Sequence, residues 1–272
     1  MAETNIKLEV MDGVGIITMD RPESRNALTP DMVDEMGEAI KACNRYDVRA
    51  VMLTGSGPAF CSGADVKAFV ETLENDGPDA LHQYINSMAD ALHTKVVLGL
   101  RNLEKPVVGA VNGVAAGAGF SLTLGCDIRY AAQSARFLMA YANIGATADG
   151  GSTYLLPRLV GSGKAMEIYL ASQPIGSEMA LEMGLVNQVV ADDQLHRHAM
   201  ETAVRLAQGP TLAYGKVKAL FDQSWDNSIA DQLDAETKAL ANSGISADFQ
   251  EGCLLYTSDA ADEGLGVDLG GR

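Results

Sequence analysis

The chain has 272 residues, of which 47% are hydrophobic and 21% charged. That is ample for one large core, and too apolar for a disordered chain. Its net charge of −16, with only 20 Lys and Arg, argues against a nucleic-acid partner tracked through phosphates; an anionic ligand would have to be met by backbone dipoles or a few placed cations.

Apolar runs at 6–11 and 15–19, joined at Asp12-Gly13, predict a β-hairpin. Thr29-Pro30-Asp31 opens a helix with a cap, a first-turn proline and an acid at its positive end. Met32, Val33, Met36, Ala39, Ile40 and Cys43 follow at helical spacing. Residues 50–54 predict a buried strand ended by Gly55-Ser56-Gly57-Pro58, and a long helix is expected over 79–103. A strand at 107–111 turns at Asn112-Gly113 into a glycine run. A further strand is expected at 127–131, helices at 151–160 and 164–171, and a last strand at 185–190. From 192 onward every signal is helical, over 192–208, 211–224 and 228–243. Strands alternating with helices predict a parallel α/β core over 1–191 and an α-helical region over 192–252. No fixed-period repeat is visible.

The opening residues 1–5 are polar and lack the basic start of a secretory signal. The uncharged run 106–126 is long enough to span a bilayer, but it carries Asn112, Ser121, Thr123 and five glycines. It reads as strand, turn and buried helix. Cys43, Cys61, Cys126 and Cys253 show neither CxxC spacing nor a histidine cluster, so neither zinc nor a disulfide framework is expected. A soluble protein of the cytoplasm, with no membrane and no nucleic-acid partner, is the expectation.

The segment CLLYTSDAADEGLGVDLGGR at 253–272 breaks the preceding pattern. One permitted back-translation of 253–258 is TGTCTCTTATACACATCT, a transposon end used to prepare sequencing libraries. The same adaptor continues in frame through Asp259–Asp262 into Glu263, and again at 267–272. Residues 253–272 are therefore read as a translated, non-native adaptor, expected to be loosely packed.

Two segments share one design. Ala59-Phe60-Cys61-Ser62-Gly63-Ala64-Asp65 and Val111-Asn112-Gly113-Val114-Ala115-Ala116-Gly117-Ala118-Gly119 each follow a strand and lead into a helix. Small residues at such a turn let a ligand approach the backbone, and the helix start leaves N–H groups unpaired. If the two converge, they form a two-donor oxyanion hole for a carbonyl that gains negative charge. The plainer alternative for either is tight helix–strand packing.

Together with Val66-Lys67, Lys105-Pro106-Val107-Val108-Gly109-Ala110, Cys126-Asp127-Ile128-Arg129, Ala135-Arg136-Phe137 and Leu156-Pro157-Arg158-Leu159-Val160-Gly161, these segments resemble the crotonase (enoyl-CoA hydratase/isomerase) superfamily. The resemblance spans 6–252 in matching order. It implies a crotonase-like spiral of ββα units, a C-terminal α-helical region that assembles a homotrimer or hexamer, and an acyl-CoA thioester substrate. No separate cofactor is implied, since coenzyme A is part of that substrate. By position, Ala64 and Ala118 would supply the two oxyanion N–H groups. Ala118 stands where glycine is usual, so its methyl must fit beside the thioester. Ser24, Arg25, Ala27, Ser62, Asp65, Val66 and Lys67 match the CoA groove, where Arg25 and Lys67 could offset phosphate charge.

Hydratases of the superfamily use two glutamates, at positions that here hold Ser121 and Tyr141. Neither is a carboxylate base, which argues against ordinary hydration. Asp149, in Gly145-Ala146-Thr147-Ala148-Asp149-Gly150-Gly151, matches an aspartate of several isomerases, of the 1,2-epoxyphenylacetyl-CoA isomerase type. The expected function is acyl-CoA isomerisation through a thioester enolate, with Asp149 as acid/base and Tyr141 donating to the acyl group or filling the pocket. The competing reading of Asp149 is a cap for the helix at 151–160.

Alternatives are hydratase-like chemistry, hydrolytic dehalogenation with Asp149 as nucleophile, and a non-catalytic acyl-CoA-binding trimer. For dehalogenation the base position aligns with Thr94. His93 is one residue off, about 100° around an ideal helix, and reads as a surface side chain. Cys61 would be a candidate thiol at a helix start, but no base accompanies it and it reads as packing.

Overall fold

The computed structural model describes residues 4–262. The hairpin forms as expected: β1 (Ile6–Met11) pairs antiparallel with β2 (Val14–Met19). Its turn places Asp12 and Gly13 at φ of 51° and 78°, the left-handed conformations that a two-residue hairpin loop requires. In α1 (Pro30–Ala42) the Thr29 hydroxyl accepts the Met32 N–H at 3.3 Å, and the expected apolar stripe is buried.

From here the chain repeats one manoeuvre. β3 (Ala50–Gly55) is followed at a sharp bend by β4 (Ala59–Cys61), then by α2 (Val66–Asp76). A left-handed Gly77 separates α2 from α3 (Pro78–Ala91); a π-helical turn over Leu92–Val97 joins α3 to α4 (Leu98–Asn102). β5 (Val107–Val111) bends into β6 (Val114–Ala116) and then α5 (Ala118–Leu124). β7 (Ile128–Ala132) bends into β8 (Arg136–Leu138), ahead of α6 (Ser152–Val160) and α7 (Ser162–Ala171). β9 (Ile175–Gly176), α8 (Ser177–Glu182) and β10 (Gln188–Val190) close the core.

The first strand of each unit enters a six-stranded sheet of order β1-β2-β3-β5-β7-β10, parallel except for β1. The second enters a four-stranded sheet of order β4-β6-β8-β9. This is the spiral of ββα units. The repeat is hidden in the sequence because β4, β6 and β8 are three residues long and the helical inserts between units differ greatly in length.

Two expectations need correction. The long helix over 79–103 is not one regular helix, because the π turn interrupts it. The last strand begins at Gln188, since the Leu185 and Val186 N–H groups both close a turn on the Ala180 carbonyl. After α9 (Leu195–Ala207), α10 (Thr211–Gln223) and α11 (Ile229–Ser243), α12 runs over Ala247–Asp262. Leu254, Leu255 and Tyr256 are exposed on it, and residues 263–272 of the suspected adaptor lie outside the described residues.

The C-terminal helices are fastened to the core by charge. Lys218 of α10 is buried and donates to Asp127 at 2.9 Å and to the Leu100 carbonyl at 2.7 Å. Asp127 also accepts the Val107 N–H at 2.9 Å and lies 3.4 Å from Arg101. Burial pulls the Lys218 ammonium below its usual range, and the Asp127 charge opposes that shift. The Cys126–Arg129 motif is thus structural, with Arg129 donating to the Leu185 and Cys126 carbonyls at 2.7 and 2.6 Å.

Candidate active site

The two glycine-rich turns do converge. Segment 24–28 runs beside 62–65 as a short parallel bridge, with Leu28 N–H donating to Gly63 at 2.8 Å and Asp65 N–H donating to Leu28 at 2.9 Å. In a parallel bridge of this register the N–H of the intervening Ala64 points away from the paired strand. Gly63 lies so close to the second turn that a Cβ on it would stand 2.8 Å from the Ala116 carbonyl and 3.5 Å from the Ala118 nitrogen. Ala118 opens α5, where an N–H has no partner within the helix. The turns that carry Ala64 and Ala118 therefore lie against each other. The Ala118 methyl packs into the hydrophobic core, so the residue keeps the N–H without filling the site.

Asn26 locks the first of these turns. It is fully buried and adopts φ of 57°, a conformation that Asn tolerates. Its amide donates to the Ser56, Ala59 and Phe60 carbonyls at 3.0, 2.8 and 3.1 Å, while its oxygen accepts the Arg21 N–H at 2.8 Å. Its left-handed neighbour Arg25, with φ of 55°, leaves a side chain exposed to solvent.

The expected CoA-groove residues share this edge. Ser62 donates through its hydroxyl to the Ser24 carbonyl at 3.3 Å, and its N–H donates to Arg25 at 3.0 Å. Asp65 sits 3.8 Å from Arg21, and Ala27 is buried. Val66 and Lys67 are exposed on the first turn of α2. Among the described residues, neither Arg25 nor Lys67 is engaged in an ion pair, which leaves both cations available to a ligand.

Asp149 is not a helix cap. Its backbone carbonyl, not its carboxylate, accepts the Ser152 N–H and hydroxyl at 3.1 and 2.7 Å. The carboxylate is instead held by Tyr141, whose hydroxyl donates to Oδ1 at 2.6 Å. Tyr141 lies on a 3₁₀ turn over Ala140–Ile144, and its hydroxyl is also 2.9 Å from the Ser121 hydroxyl. Burial, chiefly, and then the Asp149 charge push the Tyr141 phenol above its usual range, so it remains a donor at neutral pH. Ser121 sits one helical turn along α5 from Ala118. Gly150 packs against Ser121 so closely that a Cβ would stand 2.7 Å from the Ser121 Cβ. Through Tyr141 and Gly150 the Asp149 carboxylate is thereby set beside Ser121 of α5.

His93 is where sequence reasoning failed. It is not a bystander on the helix surface: its Nε2 lies 3.5 Å from Asp149 Oδ2 and accepts the Gly150 N–H at 3.1 Å. The wider π turn over Leu92–Val97 changes the helical phase, so the 100° offset of an ideal helix does not apply. Thr94, the aligned position, instead donates to the Asp90 carbonyl at 2.7 Å and is exposed. No sequence signal marked the π turn. Cys61 is fully buried and its thiol is pushed up to about 12 by desolvation, which fits packing rather than chemistry.

A hollow of about 660 Å³ lies elsewhere, between the core and α10, with Tyr154, Arg158, Phe221 and Trp225 in its wall. It shares no residue with the Asp149 site. No helix among the described residues is long and apolar enough to cross a membrane.

Comparison with known proteins shows the family. The family model for enoyl-CoA hydratase/isomerase matches residues 9–260. A Rhodobacter capsulatus protein named "Probable enoyl-CoA hydratase" is 38% identical, over 94% of this chain and 96% of its own length. The 1,2-epoxyphenylacetyl-CoA isomerase of Escherichia coli is 36% identical, over 91% and 93%. A 4-chlorobenzoyl coenzyme A dehalogenase-2 of an Arthrobacter species is 31% identical, over 100% and 99%. Among solved structures, an enoyl-CoA hydratase from a Polaromonas species superposes with a TM-score of 0.86 at 30% identity, covering 93% of this chain and 97% of the other. With the spiral core and a family match over nearly its whole length, the chain belongs to the enoyl-CoA hydratase/isomerase family.

Proposed function

We propose that this family member is an acyl-CoA isomerase that moves a double bond, or rearranges the acyl group, through a thioester enolate. The observation that carries the reading is the Asp149 carboxylate, free of any capping duty, held by Tyr141 and set beside Ser121 of α5. Asp149 takes a proton from one acyl carbon, and electron density moves onto the thioester oxygen. The Ala64 and Ala118 N–H groups stabilise that oxygen where its charge develops. Protonated Asp149 then returns the proton to a different carbon, which closes the cycle without water. Ser121 and Tyr141, at the positions of the two hydratase glutamates, bond to each other and supply no second carboxylate. Ser24, Arg25, Ala27, Ser62, Asp65, Val66 and Lys67 hold the CoA portion in this reading.

The His93–Asp149 proximity favours a second reading, nucleophilic hydrolysis of an aryl halide thioester; one relative is named a 4-chlorobenzoyl coenzyme A dehalogenase. One experiment separates the two. The protein is incubated with 3-enoyl-, 2-enoyl-, epoxyphenylacetyl- and 4-chlorobenzoyl-CoA in deuterated water, and products are read by mass spectrometry. Deuterium at the α- or γ-carbon with a shifted double bond or rearranged skeleton supports isomerisation. Chloride release without such exchange overturns it, and net addition of water to the 2-enoyl thioester as the main reaction would return the chain to the hydratases.

The same reading includes assembly and the status of the tail. Phe221 of α10 and Ile229 of α11 are 68% and 75% exposed, in company with Val217, Trp225 and Leu233. An apolar face of that extent fits burial between subunits, so light scattering is expected to show a homotrimer or hexamer. A monomer, after restoration of a native C-terminus, would contradict this. Deleting residues 253–272 is expected to shift the melting temperature by less than about 2 °C, because Leu254, Leu255 and Tyr256 are exposed. A drop of several degrees would show that this segment belongs to the fold.

A further inference from the structure

We propose that His93 is a positioning residue: by accepting the Gly150 N–H, it holds the turn that carries Asp149, and it does not itself transfer a proton. The inference rests on the reading of Asp149 as the acid/base group. Its own basis is the geometry around the 145–151 segment.

That segment has little stiffness of its own. Gly145, Gly150 and Gly151 adopt φ of 70°, 60° and 76°, and the last two directly follow the carboxylate. Glycines allow the reversal but lose the most freedom on being fixed, so the turn depends on external tethers. Tyr169 holds its start by donating to the Ala146 carbonyl at 2.8 Å, and Tyr141 holds the Asp149 side chain. The backbone just after Asp149 is held by the 3.1 Å bond from Gly150 to His93.

Chemistry decides what His93 can do there. A ring nitrogen that accepts an N–H carries no proton, so the ring proton sits on Nδ1. The Nε2 lone pair is engaged by Gly150 and is not free to deprotonate a substrate or water. For the same reason Nε2 gives no hydrogen bond to Asp149 Oδ2, 3.5 Å away. One carboxylate oxygen is therefore bonded to Tyr141 while the other keeps its lone pairs for a substrate proton.

The fold makes a specific provision for this contact. The π turn over Leu92–Val97 buries Leu92, Val96 and Val97 while directing His93 at the 149–150 turn. The turn is pressed against α1 at Gly37, where a Cβ would stand 2.7 Å from the Lys95 Cβ. A side chain that only decorated the surface would need no such arrangement.

His93→Leu and His93→Gln test the proposal in the full-length protein. Glutamine can still accept an N–H through its amide oxygen but cannot serve as a base; leucine can do neither. Two readouts are needed: deuterium incorporation from solvent into a 3-enoyl-CoA thioester, and hydrogen–deuterium exchange in a peptide containing Gly150. The leucine variant is expected to lower kcat by about 10- to 100-fold, with KM changed less than about threefold, because misplacing a reacting group acts on the chemical step. Exchange at Gly150 should rise by about tenfold, as one hydrogen bond is lost. Glutamine should bring both readouts back to within about threefold of the parent.

If glutamine restores protection at Gly150 but leaves kcat as low as leucine does, His93 moves a proton itself and the proposal falls. If leucine changes neither readout, His93 is a surface residue and the proposal also falls. A different result would locate the fault in Asp149 alone: Asp149→Asn retaining activity while His93→Leu still loosens Gly150. The exchange readout requires no turnover, so it judges the tether even if none of the tested thioesters is a substrate.

Discussion

Asp149→Asn is expected to reduce isomerisation and α-proton exchange by about 10²–10⁴-fold, the range associated with a positioned general base. The substitution is close to isosteric. The asparagine oxygen can still accept from Tyr141, as Oδ1 does now at 2.6 Å, so the side chain should keep its place and lose only its charge and basicity. The α6 N-terminus should be indifferent, because Ser152 bonds to the backbone carbonyl of residue 149 and not to its side chain. For that reason Asp149→Ala is not expected to lose a helix cap, contrary to what Asp149's place before a helix suggests in the sequence. Acyl-CoA affinity should be retained within a few-fold in both variants, since the paired segments 24–28 and 62–65 are untouched. The checks are kcat and KM on an accepted thioester, binding of a saturated acyl-CoA by calorimetry, and thermal unfolding. Near-parental turnover by the asparagine variant would place the base elsewhere and leave only the fold assignment standing.

Gly119→Ala should be nearly as damaging to activity and far more damaging to stability. A methyl built on Gly119 would lie 2.0 Å from the Cys61 carbonyl oxygen, 2.7 Å from its carbon and 2.8 Å from the Cys61 Cβ. All belong to β4, which is buried and cannot yield as a flexible side chain would. Relief requires α5 to move away from β4, and Ala118 moves with it. Overpacking of this kind typically costs about 1–3 kcal/mol, and backbone opposition puts this case at the upper end. The rate should fall by roughly 10²–10³-fold, the usual consequence of losing one oxyanion donor. Gly163→Ala is the matched control. Gly163 lies within α7, and a methyl added there would meet nothing within 4 Å, so the change should be neutral or slightly stabilising. Equal melting temperatures for the two variants would show that the β4–α5 contact is looser than described.

Much of the fold was legible because it is written in short-range pattern. The runs at Ala50–Gly55 and Val107–Val111 are buried throughout, as parallel strands covered on both faces must be. The stripe from Met32 to Ile40, with Thr29 and Pro30 before it, has the period and start signals of a helix, and the helix is there. Ala64 and Ala118 were assigned by the resemblance, because small residues at a strand-to-helix turn serve tight packing equally well. Asp149 stood out as a carboxylate in a stretch of small residues.

What the sequence could not disclose depends on distant partners. Strands of three residues, such as β4 and β8, carry no period of their own and exist because a neighbouring strand pairs with them. Whether Asp149 capped a helix turned on which of its oxygens Ser152 chose, and either choice is compatible with the same residues. Lys218 shows the same limit: it looks like a solvated side chain until Asp127, far away in the chain, gives it a buried partner. His93 is the sharpest case. Its spacing places it off the site on an ideal helix, yet a π turn packed against α1 brings it to Gly150. The sequence by itself determined the longer strands, the capped helix at 30–42 and a carboxylate among small residues, since each is a matter of neighbours in the chain. Only the tertiary structure decided which side chains meet that carboxylate, because helical phase and hydrogen-bond choice are set by packing between segments that the sequence keeps far apart.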